Sequence, residues 1–170
     1  MEATGACRGR HVVKMFEVVH GRNTCYMVLE LMEDGATAVS ARNTGGGGGG
    51  GVLTPPPLAD LLHYLFKPAG DRPEYTERSA SLHILHTARA LKACHDVNYA
   101  HLDVKPDNVL LGCGGRVAKL CDFGMAARAP AARRFGTLLF VAPEVLRDGR
   151  AGTPADCWSL GCATHGFELV

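Results

Sequence analysis

The run His101-Leu102-Asp103-Val104-Lys105-Pro106-Asp107-Asn108, with Asp122-Phe123-Gly124 a hairpin's length later, constrains this chain more than any other stretch. Asp103 stands five residues before Asn108, on a loop that Pro106 is expected to keep out of helix. Val109, Leu110 and Leu111 then read as a short buried strand. Gly112-Cys113-Gly114-Gly115 reads as a tight turn, and Val117 to Leu120 as the returning partner strand. Such a hairpin delivers Asp122 back beside Asn108. Two oxygen donors facing one pocket suit magnesium, a hard cation that keeps nucleotide phosphates among its remaining ligands.

The pattern resembles the protein-kinase catalytic loop and its metal-binding triplet. The resemblance continues in Ala142-Pro143-Glu144 and in Asp156-Cys157-Trp158-Ser159-Leu160-Gly161, so four motifs stand in the family's order. It implies an α+β, protein-kinase-like fold, with a mostly helical large lobe and a remnant of the β-rich small lobe. It implies ATP and Mg2+ as cofactors and a protein as substrate. Asp103 would orient and deprotonate the substrate hydroxyl, and Lys105 would neutralise the transferring phosphoryl group. Asn108 and Asp122 would hold the metal against the nucleotide phosphates. Thr137, in Phe135-Gly136-Thr137, matches the threonine that helps position hydroxyls in serine/threonine kinases, and Lys105 points to the same class. Asp156 would accept backbone N–H bonds from the catalytic loop.

Composition narrows the alternatives. With 170 residues, 46% of them hydrophobic, the chain is long enough for one core. A net charge of +1 gives no footing for a nucleic-acid or anionic-membrane partner. Seven cysteines, an odd number with no Cys-x-x-Cys pair, fit a reducing intracellular compartment, cytoplasmic or nuclear, better than a disulfide framework. Of the eight histidines, His83 and His86 lie three apart on a probable helix, and packing or surface roles are expected for them rather than zinc. No signal peptide and no membrane-length apolar run is visible.

Upstream of the catalytic loop, His11 to Val19 and Thr24 to Leu31 read as two strands joined at His20-Gly21-Arg22-Asn23. They resemble the last strands of a kinase small lobe. The resemblance makes Leu29 the gatekeeper beside the adenine pocket, turns the Glu30 carbonyl and the Met32 N–H towards the adenine edge, and makes Leu110 the pocket floor. Residues 1–34 would thus be small-lobe remnant, and 58–170 a partial large lobe. Between them, 35–57 departs from the family. Gly45 to Gly51 are seven consecutive glycines and Pro55-Pro56-Pro57 follow, the composition of a flexible low-complexity insertion rather than a phosphate loop. Leu58 to Phe66 reads as a short helix, with Leu58, Leu61, Leu62 and Leu65 on one face. Glu74 to Asp96 reads as a longer one, with Ile84, Leu85, Ala88, Leu91 and Cys94 on its apolar side.

Two departures near the site agree with one another. No Ser, Thr or Tyr occurs between Gly124 and Thr137, and Leu102 stands where many kinases carry an arginine that receives an activation-loop phosphate. There is neither a phosphate to place nor an arginine to receive it. The small-lobe glycine-rich loop and the Val-Ala-Ile-Lys strand are not found in the sequence, and Lys14 falls one strand too late to replace that lysine. The chain is therefore expected to be a serine/threonine kinase fragment, truncated at both ends and inactive in isolation. The competing expectations are a non-catalytic pseudokinase scaffold and an inactive truncated product.

Overall fold

The computed structural model describes residues 11–32, 40–43, 60–65, 75–132 and 136–168. Its centre is the hairpin of β5 (Val109–Gly112) and β6 (Val117–Leu120), paired in the register Val109↔Leu120, Leu110↔Lys119, Leu111↔Ala118. Side chains alternate across a strand, so Val109, Leu111, Ala118 and Leu120 enter the core together. Leu110 and Lys119 share the opposite, half-buried face. The strand at 109–111 is thus buried on one side only, not throughout. At the turn, Gly114 and Gly115 take φ of 67° and 73°, a region that favours glycine.

Two helices cover the apolar face. α1 (Leu61–Leu65) buries Leu61 and Leu65, while Leu62 is half-buried and Leu58 lies outside the described residues. α2 (Glu77–His95) is capped by Thr76, whose side chain accepts from the Ser79 N–H, and it packs on β6. Its inward face is His83, His86, Thr87, Ala90, Leu91 and Cys94. This corrects the expected face: Leu85 is exposed, and Ile84 and Ala88 sit at its margin. The histidines can go inside because they meet backbone partners. His83 Nε2 lies 2.6 Å from the Gly115 carbonyl, and His86 Nδ1 accepts the Ala118 N–H at 3.2 Å.

Before α1, the chain forms a three-stranded antiparallel sheet, β1 (Met15–His20), β2 (Thr24–Leu29) and β3 (Ser40–Asn43), in that order. β1 begins four residues later than the sequence pattern suggests. The residues before it pair elsewhere: Val12 bridges Leu120, and His11 stacks on His86 at 4.0 Å. β3 falls inside the segment read as a low-complexity insertion, whose glycine run and prolines lie outside the described residues.

After the hairpin, β7 (Ala127–Arg128) pairs with β4 (Tyr99–Ala100), and β8 (Ala131–Ala132) with β9 (Arg150–Ala151). The segment read as an activation loop is therefore stitched down at two points. α3 (Pro143–Asp148) starts on Pro143 and ends at Gly149 in the left-handed conformation. α4 (Thr153–Glu168) packs against α2 and the Leu138–Phe140 turn, with Ala155, Asp156, Ser159 and Ala163 buried and Trp158 half-exposed. No helix among the described residues is long and apolar enough to cross a membrane.

Candidate active site

β4 ends one residue before His101, and the loop from there to Asn108 is fixed by buried groups on three sides. Asp156, fully buried on α4, accepts the His101 N–H through Oδ2 and the Leu102 N–H through Oδ1, both at 2.8 Å. His95 Nε2, at the end of α2, lies 2.8 Å from the same Oδ2. These bonds hold Leu102 at a φ of 66°, a conformation a branched side chain resists by roughly 1–2 kcal/mol. His101 is fully buried, with Nε2 2.9 Å from the Cys121 carbonyl and its ring edge-on to Phe123 at 4.8 Å. Burial holds its pKa below the ordinary range, against the pull of Asp156, the Cys121 carbonyl, Asp103 and Asp122. Pro106 opens a single 3-10 turn, Pro106–Asn108, so the loop is not wholly without helical backbone.

Asp103, Lys105, Asn108 and Thr137 meet in one cluster. The Thr137 hydroxyl donates to Asp103 Oδ1 at 2.8 Å and accepts from Lys105 Nζ at 2.8 Å. The Thr137 N–H reaches the same Oδ1 at 3.2 Å, and Lys105 Nζ stands 3.1 Å from Asp103 Oδ2. Asn108 Nδ2 donates to the Asp103 carbonyl at 2.7 Å and to its Oδ2 at 3.0 Å. Burial alone would raise the Asp103 pKa. The Thr137 and Lys105 hydrogen bonds, the Lys105 charge and the Asn108 amide outweigh it and keep the carboxyl below its usual value. The result is an ionised carboxylate only 12% exposed, beside a lysine 21% exposed. Gly136 makes the Thr137 approach possible. Its φ is 152°, and a Cβ there would sit 2.9 Å from Val141 Cγ2 and 3.2 Å from the Leu102 carbonyl. A small cleft opens on this cluster, lined by Asp103, Thr137, Phe140, Val145 and Ser159 among others.

Next to Asp122, the Cys121 N–H donates to the Asn108 carbonyl at 2.9 Å, tying the strand's exit to the loop. Asp122 has a φ of 53° and accepts the Gly124 N–H through Oδ1 at 3.2 Å. Among the described residues no group of three or more His, Cys, Asp or Glu is arranged to hold a metal unaided. The donor chemistry present is one amide oxygen and one carboxylate. It fits magnesium, which completes its octahedron with water and phosphate, better than a soft-metal cage.

The residues expected at a hinge lie at the end of β2, just after it and on β5. Leu29 ends β2 opposite Met15, Met32 is buried, and Leu110 lies on the outer face of β5. Glu30 Oε2 receives Lys119 Nζ at 2.6 Å, and Lys119 is the strand partner of Leu110. Glu30 is thereby tied to the strand that pairs with β5, whose start follows Asn108 directly. Sequence reading missed Lys119 and His95. Their partners lie 89 and 61 residues away, and the only local signal was a lysine in an otherwise apolar strand.

Comparison with known proteins agrees with this geometry. The protein kinase domain profile matches residues 1–167. An Aurora kinase of Dictyostelium discoideum is 38% identical over 105 residues, 60% of this chain and 27% of that protein. An Aurora kinase of Yarrowia lipolytica is 26% identical over 170 residues, 98% of this chain and 38% of that protein. A probable serine/threonine-protein kinase pXi of Dictyostelium discoideum is 29% identical over 162 residues, 92% of this chain and 19% of that protein. The chain thus spans well under half the length of each of these relatives. Four ordered motifs, the carboxylate cluster they build and a profile match over nearly every residue agree: the chain belongs to the protein kinase family.

Proposed function

We propose that the protein carrying this chain is a serine/threonine kinase that transfers the γ-phosphoryl group of ATP to hydroxyls of protein substrates. The observation that carries the reading is the cluster of Asp103, Lys105 and Thr137, in which one ionised carboxylate is gripped by a lysine and a hydroxyl. Asp103 orients the substrate hydroxyl and takes its proton as the oxygen bonds to phosphorus and the bond to the leaving ADP breaks. Lys105 sets positive charge beside the phosphoryl oxygens, and Thr137 fixes the angle of the carboxylate. Asn108 and Asp122 hold Mg2+, which supplies charge neutralisation across the phosphates when bound. The Glu30 carbonyl, the Met32 N–H and the side chains of Leu29 and Leu110 take the adenine ring.

The test is calorimetric titration with ATP, followed by a radiolabelled transfer assay on a generic basic protein. ATP affinity falls when magnesium is chelated, and Asp122→Ala loses that dependence. Transfer drops about 10²–10⁴-fold in Asp103→Asn, the usual weight of a positioned general base. Binding without transfer in the intact protein favours a non-catalytic scaffold, and an Asp122→Ala protein indistinguishable from wild type sinks the metal assignment.

A further inference from the structure

We propose that Lys119 is a positioning residue for the nucleotide, acting through Glu30. The inference rests on the nucleotide-binding reading above and adds a residue to it. Lys119 sits in β6 between the buried Ala118 and Leu120, on the face it shares with Leu110. Its Nζ reaches Glu30 Oε2 at 2.6 Å, and both side chains are 20% exposed, so water screens the pair less than a surface one. The other carboxylate oxygen accepts the Lys14 N–H at 2.7 Å, and the Glu30 N–H donates to the Lys14 carbonyl at 2.9 Å. Glu30 is therefore held by both carboxylate oxygens and by its own N–H.

A second attachment joins the same two parts of the chain. The Leu120 N–H donates to the His11 carbonyl at 2.8 Å, and the Val13 N–H to the Leu120 carbonyl at 2.9 Å. One residue further on, Cys121 is bonded to Asn108. The strand that delivers Asp122 thus also sets the height of the hinge, and Lys119 is the charged link between them. Losing the lysine leaves the Glu30 carboxylate half-buried without its counter-charge, and the hinge peptides swing.

The experiment is calorimetry of magnesium-ATP with the protein carrying this chain and its Lys119→Met, Glu30→Gln, double and Lys119→Arg variants. Each of the first two raises Kd about fivefold to tenfold, the scale expected of a residue coupled to a site it does not touch. The double variant is no worse than the weaker single one, because the two changes break one link. Lys119→Arg restores most of the affinity, and hydrogen exchange at Glu30 to Met32 quickens in Lys119→Met and in Glu30→Gln but not in Lys119→Arg. Additive effects, or wild-type affinity in Lys119→Met, overturn the inference and leave the nucleotide reading standing. A wild-type protein that carries this chain and binds no ATP overturns both.

Discussion

Thr137 and Asp103, 34 residues apart, are joined twice: the threonine hydroxyl and its backbone N–H both donate to the same carboxylate oxygen. Together with Lys105 this makes a relay in which lysine donates to threonine and threonine to aspartate. Thr137→Val removes the hydroxyl but keeps the shape. A hydrogen bond to a charged group is worth about 1.5–3 kcal/mol, so transfer should fall roughly 10- to 100-fold. The Asp103 pKa should also rise, because a bond that lowers it is gone. The acid limb of the kcat/KM profile then moves to higher pH, while Thr137→Ser leaves it in place. An unmoved limb in the valine variant would show that the threonine does not act through Asp103.

Activity should not depend on phosphorylation of the segment from Met125 to Gly136. That segment offers no hydroxyl, and Leu102 cannot receive a phosphate. Two short strand pairs, β4–β7 and β8–β9, already fasten it without added charge. Phosphatase treatment of active enzyme should leave its rate nearly unchanged. A large loss, mapped by mass spectrometry to Thr137 or elsewhere, would mean that control enters by another route.

Stability should fall as pH drops from the histidine range towards 4. His86, stacked on His11 and near His83 and Arg89, is lowered from 6.5 to about 4, first by burial and then by those neighbours. Burial lowers His83 and His101 in the same direction. A histidine with a depressed folded pKa stays neutral in the fold while the unfolded chain takes up the proton. The stabilising effect is therefore complete above about 6.5 and is lost on the way down to the folded value. Each such group contributes a slope of about 1.4 kcal/mol per pH unit within its window. Asp103 acts in the same direction, because its folded pKa is also depressed: its contribution is complete above its ordinary value near 3.8 and is lost only below it. Melting curves between pH 7.5 and 4.5 should be flatter for His86→Gln, which keeps an acceptor for the Ala118 N–H but cannot titrate. Identical slopes in the two proteins would remove His86 from the account.

The sequence made legible what is local. The hairpin showed itself through apolar residues on either side of a glycine turn, and its strands lie where that pattern puts them. The long helix was visible too, but its face was not. Leu85 looked like core and is exposed, while His83 and His86 took the inside because Gly115 and Ala118 supply backbone partners 32 residues away. Such partners have no signature in a helical repeat. Asp103 and Thr137 were each recognisable as motif residues, yet their shared hydrogen bonds depend on Gly136 letting the chain pass close to Leu102. Lys119 and Glu30 were invisible as a pair because they stand 89 residues apart, the lysine in β6 and the glutamate just past the end of β2.

Asp156 should matter to stability and to the reaction for one and the same reason. It is 0% exposed, and its two oxygens take the His101 and Leu102 N–H groups, with His95 Nε2 also within 2.8 Å. Asp156→Asn keeps the volume but turns one acceptor into a donor that faces a backbone N–H. Losing one charged hydrogen bond and leaving a buried donor unpaired together cost about 3 kcal/mol or more. The loss does not stop at the fold. Leu102 holds its left-handed φ of 66° against its own side chain, and the bonds from Asp156 are what keep it there. Once they weaken, the peptide relaxes and Asp103, the next residue, turns away from Thr137. Urea unfolding should show a lower midpoint with an unchanged slope, and transfer well below the melting temperature should still fall at least tenfold, the weight of about 1.4 kcal/mol at the transition state. His95→Gln, which leaves both backbone bonds intact, should cost less on each measure. A variant Asp156→Asn that is destabilised but fully active while folded would break the link drawn here between the buried carboxylate and the catalytic loop.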